Sequence, residues 1–251
     1  MNKIFLLSDS HSFSDYIALC LKEDQLDVEA SNRFLVIPDE SDIAIVNLLN
    51  LRKGIEFELK KVLESNVKKV IVLENALSLY LNSKNNIPFS VYTQIVPKNE
   101  ICERYLEIER QVIESKKQYV IFRISEIYGS SMPRSIINKL LFSRLYELDN
   151  SSRDFIYEGD VIQAIEISLR KEVTGMFDIA SGRSIQLRQL VELIKQIRNH
   201  NGFNIQWRRK RFDIVFNCEN FKFYKWQPLI DIEMGLRTLS TLNRRSNYGQ
   251  L

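Results

Sequence analysis

Glycine is scarce in this chain and unevenly placed. There are eight in 251 residues, and none comes before Gly54. Any tight turn before that point is therefore built without the residue that enters positive φ freely. Histidine numbers two, His11 and His200, and neither shares a cluster with cysteine or acidic residues, so no metal site is expected. The three cysteines, Cys20, Cys102 and Cys218, are scattered, odd in number and without metal-ligand spacing. Cys20 falls on the apolar face of a helix pattern, where packing is its expected role. No apolar run has the length of a membrane-spanning helix, and Met1–Leu7 is too short for a signal-peptide core, so no membrane association and a cytoplasmic location are expected. Nor does charge of one sign dominate. The formal net charge is +3, which argues neither for nor against an anionic partner. The basic run Arg208–Arg211 reads as a solvated face, and without a broad basic surface interleaved with aromatics no nucleic-acid partner is expected.

The chain does hold an ordinary globular balance, 45% apolar and 27% charged. Its length suits one large α/β domain, alone or with a small appendage. Strand-like and helix-like segments alternate, which predicts a mainly parallel sheet. Met1–Leu7, Phe34–Ile37, Asp42–Leu49, Val67–Leu73, Tyr119–Ile124, Gly175–Ala180 and Phe203–Trp207 read as strands. Asp15–Glu23, Ile55–Asn66, a segment from near Pro97 to Lys117, Ser135–Leu148, Val161–Leu169, Ser184–Asn199 and Ile232–Leu242 read as helices. Arg244–Leu251 reads as a frayed tail.

Four later segments carry a resemblance. Arg123-Ile-Ser-Glu-Ile-Tyr128-Gly129 looks like a strand ending in R-x-x-x-x-Y-G. Arg153–Val161 (RDFIYEGDV) is similar to R-D-F-[IV]-Y-V-D-D-V. Gly175–Gly182 (GMFDIASG) resembles G-x-[VY]-N-[IV]-G-[ST]-G. Trp226-Gln-Pro228 followed by Asp231–Leu236 (DIEMGL) looks like G-W-x-P and its helix. Taken in order, they resemble the extended short-chain dehydrogenase/reductase superfamily, the NAD-dependent epimerase/dehydratases. The resemblance implies a Rossmann-like, doubly wound parallel sheet with a smaller, partly interleaved C-terminal substrate domain. Residues 1–130 and 154–181 would form the nucleotide-binding part, residues 131–153 and 182–243 the substrate-binding part, and 244–251 the tail. It also implies NAD or NADP as cofactor, a nucleotide-sugar ligand, and a homodimer built on the helices at Ile55–Asn66 and Pro97–Lys117.

The family's chemistry needs a Tyr and a Lys at i and i+4 on one helix face, where the ammonium lowers the phenol pKa. A Ser at the end of the preceding strand completes the set. This chain has no Tyr-x-x-x-Lys there. In one register Tyr92 and Lys98 are the candidate acid/base pair, six residues apart with Pro97 between them. In a later register, anchored by Glu109 and its distance to Arg123, Ile101 stands for the Tyr and Tyr105 for the Lys. Glu74-Asn75 occupies the place of the strand-end serines, and Ser78 follows one turn later as the third catalytic candidate.

The cofactor loop is altered too. Ser8, His11 and Ser14 hold the spacing of the family's glycines, which permit the tight turn and close backbone approach to a pyrophosphate. Ser8, Ser10, His11, Ser12 and Phe13 are the cofactor-binding candidates, since amides at a helix N-terminus attract phosphate whatever the side chains. The alternative is that Ser14 or Asp15 simply caps the helix. Whether dinucleotide binding is retained stays open. On the substrate side, Arg211 and Arg153 are candidates to clamp a diphosphate. Phe155, Tyr157, Phe177 and Trp226 read as packing residues.

Overall fold

The computed structural model describes residues 3–8, 11–31, 37, 40–80, 88–142, 145–199, 204–209 and 212–248. In chain order the elements of the first half are β1 (Lys3–Ser8), α1 (His11–Glu23), β2 (Asp27–Ser31), β3 (Ile43–Leu48), α2 (Ile55–Glu64), β4 (Lys69–Asn75), α3 (Ala76–Tyr80), α4 (Glu100–Glu114), β5 (Gln118–Ile124) and β6 (Glu126–Tyr128). There follow α5 (Ile136–Phe142), β7 (Leu145–Asp149), β8 (Ser152–Tyr157), α6 (Glu158–Arg170), β9 (Gly175–Ile179), β10 (Ser184–Gln186), α7 (Leu187–Arg198), β11 (Asn204–Arg208), α8 (Glu219–Lys222) and α9 (Ile232–Tyr248).

Strands such as β3 (IAIVNL) and β4 (KVIVLEN) are almost continuously apolar and β-branched, as strands covered on both faces must be. They belong to a six-stranded sheet of order β2-β1-β3-β4-β5-β9 in which every described pairing is parallel. Alternate residues feed two cores. Ile4, Leu6, Ile43, Ile45, Ile71 and Leu73 pack with α1, α6 and Trp226, whereas Phe5, Leu7, Ala44, Val46, Val70 and Val72 pack with α2, α3 and α4. The result is the expected doubly wound three-layer α/β architecture. Successive strands run outward from β1 to β2 and then resume on its other side with β3. The carboxyl ends of β1 and β3 therefore flank the topological switch point, where open α/β sheets form a crevice. A third core gathers Tyr128, Leu148 and Phe155 with α5, α7 and α9.

Several boundaries differ from the sequence expectation. The helix expected from Asp15 begins at His11, so Ser14 and Asp15 lie inside it and neither caps it. Buried Ser14 is instead drawn to β3, where Asn47 Nδ2 donates to its Oγ at 2.9 Å. The helix expected from near Pro97 starts at Glu100, because the Asn99 side chain accepts from the Cys102 amide at 2.8 Å and sets the cap there. The helix expected over Ser135–Leu148 stops at Phe142, and Leu145–Asp149 is a strand that pairs in parallel with β11. Ser184–Gln186 pairs with β8 before α7 starts. The last helix continues to Tyr248, through residues free of glycine and proline, so most of the expected tail is helical. Polar β2 was not anticipated, and most of the expected strand at Phe34–Ile37 falls outside the described residues. Among the described residues no helix is long and apolar enough to cross a membrane, and no His/Cys/Asp/Glu group has the arrangement of a metal site.

Candidate functional site at the carboxyl ends of the strands

Three side-chain bonds close the crevice around the end of β3. Besides the Asn47–Ser14 bond, the Tyr105 hydroxyl of α4 donates to the Leu48 carbonyl at 2.6 Å, and Asn75 Nδ2 at the end of β4 reaches the Leu49 carbonyl at 3.5 Å. Of the cofactor candidates, Ser12 is exposed and Phe13 is buried in the core beneath α1. Only the backbone of Ser8 and His11 is described, and Ser10 lies outside the described residues. The first turn of α1 opens directly after β1, so its amides point their positive dipole end towards the crevice.

Beside the crevice, on the α4 face of the sheet, lies a buried charged cluster. The registers place Glu74, Arg123 and Asp178 side by side on β4, β5 and β9. Arg123 donates from Nε and Nη2 to the two oxygens of Glu109, at 2.6 and 2.8 Å, and from Nη1 to the Tyr80 hydroxyl at 2.7 Å. Burial works against the guanidinium's charge, but the Glu109 bonds and charge outweigh it and raise its pKa. Neither oxygen of Glu74 receives a hydrogen bond from a donor group, and burial, followed by the charge of Glu109 and a carboxyl–carboxyl hydrogen bond with it, lifts its pKa well above the usual carboxylate range. Asp178 accepts from the Val91 amide at 2.6 Å through one oxygen, while the other has no partner. Burial pushes its pKa to about 7 against the opposing pull of Val91 and Arg123. Burial likewise raises the pKa of Tyr80.

The sequence pattern signalled two of these residues, since Glu109 and Arg123 anchored the later register. It gave weaker notice of the others. Asp178 stands where the G-x-[VY]-N-[IV] pattern has Asn, and Glu74 in the place of the family's strand-end serines. An acid inside an otherwise apolar strand was the available clue.

The catalytic candidates are distributed around this cluster. Ser78 sits in the first turn of α3, its amide bonded to Asn75 Oδ1 at 3.3 Å. Tyr92 is 84% exposed in the turn after Ser90, and Lys98 lies in the same connection, just before the Asn99 cap. Ile101 is exposed on the first turn of α4, and Tyr105, four residues on, is buried against Leu48.

The acids of the Arg153–Val161 segment act as structural joints. Asp154 accepts from the Ser181 amide and hydroxyl, the Gly182 amide and the Phe216 amide at 2.6–3.2 Å, and burial still raises its pKa to about 6. Glu158 accepts from the amides and hydroxyls of Ser130 and Ser131. Asp160 accepts from the amides of Leu229 and Ile230. Arg153, a diphosphate candidate, directs its guanidinium to Glu126 at 2.5 Å and Asp149 at 3.3 Å. Arg211 lies outside the described residues.

No protein-family model matches the chain. Among curated proteins it is similar to a dTDP-4-dehydro-6-deoxyglucose reductase of Escherichia coli, 27% identical over 203 residues that make up 72% of this chain and 63% of that protein. The chain thus spans about three-fifths of the length of the curated relatives it matches. Among solved structures, a UDP-glucose 4-epimerase of Thermotoga maritima with UDP-glucose superposes with a TM-score of 0.80 at 15% identity, covering 98% of this chain and 100% of that one. A dTDP-glucose 4,6-dehydratase of Bacillus anthracis in complex with NAD superposes at 0.81 with 14% identity, covering 99% and 98%.

Proposed function

We propose, from its likeness to the extended short-chain dehydrogenase/reductase superfamily, that the chain binds a nucleotide sugar while its dinucleotide chemistry has been altered or lost. The observation that carries this reading is at Tyr105. With Glu109 and Arg123 paired, the later register aligns Ile101 and Tyr105 with the family's Tyr and Lys. Ile101 has no proton to transfer, and the Tyr105 hydroxyl is directed to the Leu48 carbonyl at the strand end. The buried carboxyl of Glu74, which no donor group reaches, stands where the resemblance puts a serine for the substrate oxygen. These residues do not fit the hydride chemistry of a nicotinamide dinucleotide.

What the crevice retains is an anion-binding element: the α1 amino end, whose amides and dipole suit a diphosphate. Arg153 is committed to Glu126 and Asp149, so in this reading it supports the substrate-side scaffold rather than clamping phosphate. Arg211 remains the proposed diphosphate cation.

Thermal-shift and calorimetric titrations with UDP- and dTDP-sugars and with oxidised and reduced NAD and NADP test this. We expect saturable stabilisation by a nucleotide sugar, about 2.7 kcal/mol at a hundredfold excess over Kd. We expect no stabilisation by the dinucleotides and no turnover. Stoichiometric dinucleotide binding with turnover would overturn the reading. If that turnover also vanished in Tyr92→Phe, then Tyr92, with Lys98 and Ser78, would be the acid/base set.

A further inference from the structure

We propose that residues 88–93 form a strap that the buried Glu74–Glu109–Arg123–Asp178 cluster holds closed while Asp178 is protonated, and that the strap opens to water when Asp178 ionises.

The strap is fastened to the two ends of this cluster. Tyr80, which receives the Arg123 bond, donates its own hydrogen to the Ser90 carbonyl at 2.8 Å. The next residue, Val91, donates its amide to Asp178. Phe89 completes the attachment by bridging Phe216, with backbone bonds of 2.9 Å to the Val215 carbonyl and 2.7 Å from the Asn217 amide, and by stacking on Tyr80 with ring centroids 5.0 Å apart. The span itself is only a local turn, with the Thr93 amide on the Ser90 carbonyl. Its tip, Tyr92, faces solvent.

Charge accounting supplies the trigger. Three carboxyls, one from each of β4, β9 and α4, share a single guanidinium from β5, which is bonded twice to Glu109. Among the described residues, the other titratable groups around the cluster are Tyr80 on α3 and Cys102 and Tyr105 on α4. Burial raises the pKa of Tyr80 and Cys102, and the Tyr105 hydroxyl is bonded to Leu48. From the 212–218 segment the strap meets apolar Phe216.

With Glu109 answering Arg123, the enclosure is neutral only if both Glu74 and Asp178 hold protons. An ionised carboxylate without sufficient donors is costly in a dry site. Glu74, which no donor group reaches and which lies against Glu109, is the costlier of the two to ionise. Asp178, with one donor and one orphaned oxygen, is the member poised to lose it. The Val91 bond favours the charged form but leaves the second oxygen bare, and water reaches it by displacement of the strap. The sign follows directly. The closed form holds the extra proton, so closure is fully favoured below the usual aspartate range and fades as pH rises through about 7.

Hydrogen exchange at the amides of Phe89 and Val91, corrected for intrinsic rates, reads the opening equilibrium. Between the usual aspartate range and about pH 7, protection should fall by up to about tenfold per pH unit, the limit for one proton released, and it should level off above that. In Asp178→Asn the profile should be flat. In Glu74→Gln the fall should persist, because the strap is bonded to Asp178 and Tyr80 and not to Glu74. Constant protection in the wild type would overturn the proposal. So would an unchanged fall in Asp178→Asn, or a fall abolished by Glu74→Gln. This test needs no ligand, so its outcome is independent of nucleotide-sugar binding.

Discussion

An Arg123→Met variant should lose about 3–5 kcal/mol of stability in chemical denaturation, the range for removing one partner of a buried ion pair. Methionine is of similar length, so little of this loss comes from a cavity. The cost arises because Glu109 loses both guanidinium bonds in a site closed to water, while Tyr80 loses the donor that orients its hydroxyl. The double variant Arg123→Met/Glu109→Met should recover most of the loss, since exchanging an entire buried pair for apolar groups is often neutral or stabilising. Trp207 and Trp226 provide the fluorescence signal. A single-variant cost below about 1 kcal/mol would mean that water reaches the pair and that the cluster is not dry.

Gly129→Ala should cost about 2–5 kcal/mol, combining overpacking with backbone strain. A β-carbon at that position would lie 2.0 Å from Cδ of Glu158, and the residue sits at φ 156°. Glu158 cannot step aside cheaply, because Ser130 and Ser131 hold its carboxylate through four hydrogen bonds. The double variant Gly129→Ala/Glu158→Ala should therefore be more stable than the sum of the two single losses, which a double-mutant cycle measures. Additive losses would show that Glu158 is not what the new methyl strikes.

Both residues lie in segments that the sequence singled out, and the reason is physical. Buried parallel strands announce themselves as β-branched runs, so β1, β3, β4 and β5 and the alternation around them were legible. Gly129 and the acids of Arg153–Val161 were legible as pattern. Their work as joints was not, because their partners lie 27 to 70 residues away. The same limit explains the missed elements. Edge strand β2 buries only Val28, leaving no apolar period to read. β7 looked like the end of a helix because its strand character depends on β11, which lies far along the chain. At the crevice, Asn47 decides that Ser14 faces β3 instead of capping α1, a choice no local rule contains. For Asp178 the clue was local, but its proton affinity comes from burial and from Glu109, far away in sequence.

The joint at Asp154 also has a bearing on the order in which the molecule assembles during synthesis. Its carboxylate sits on β8 but draws donors from residues 181–182 and from Phe216. A ribosome that has released only the first two hundred residues has exposed this acid without its last donor. The six-stranded sheet already has all its strands by then, whereas the segment that carries Phe216, and with it the seat of Phe89, does not yet exist. Completion of this joint must therefore wait for Phe216, and nascent chains stopped short of it should expose surface that chaperones recognise.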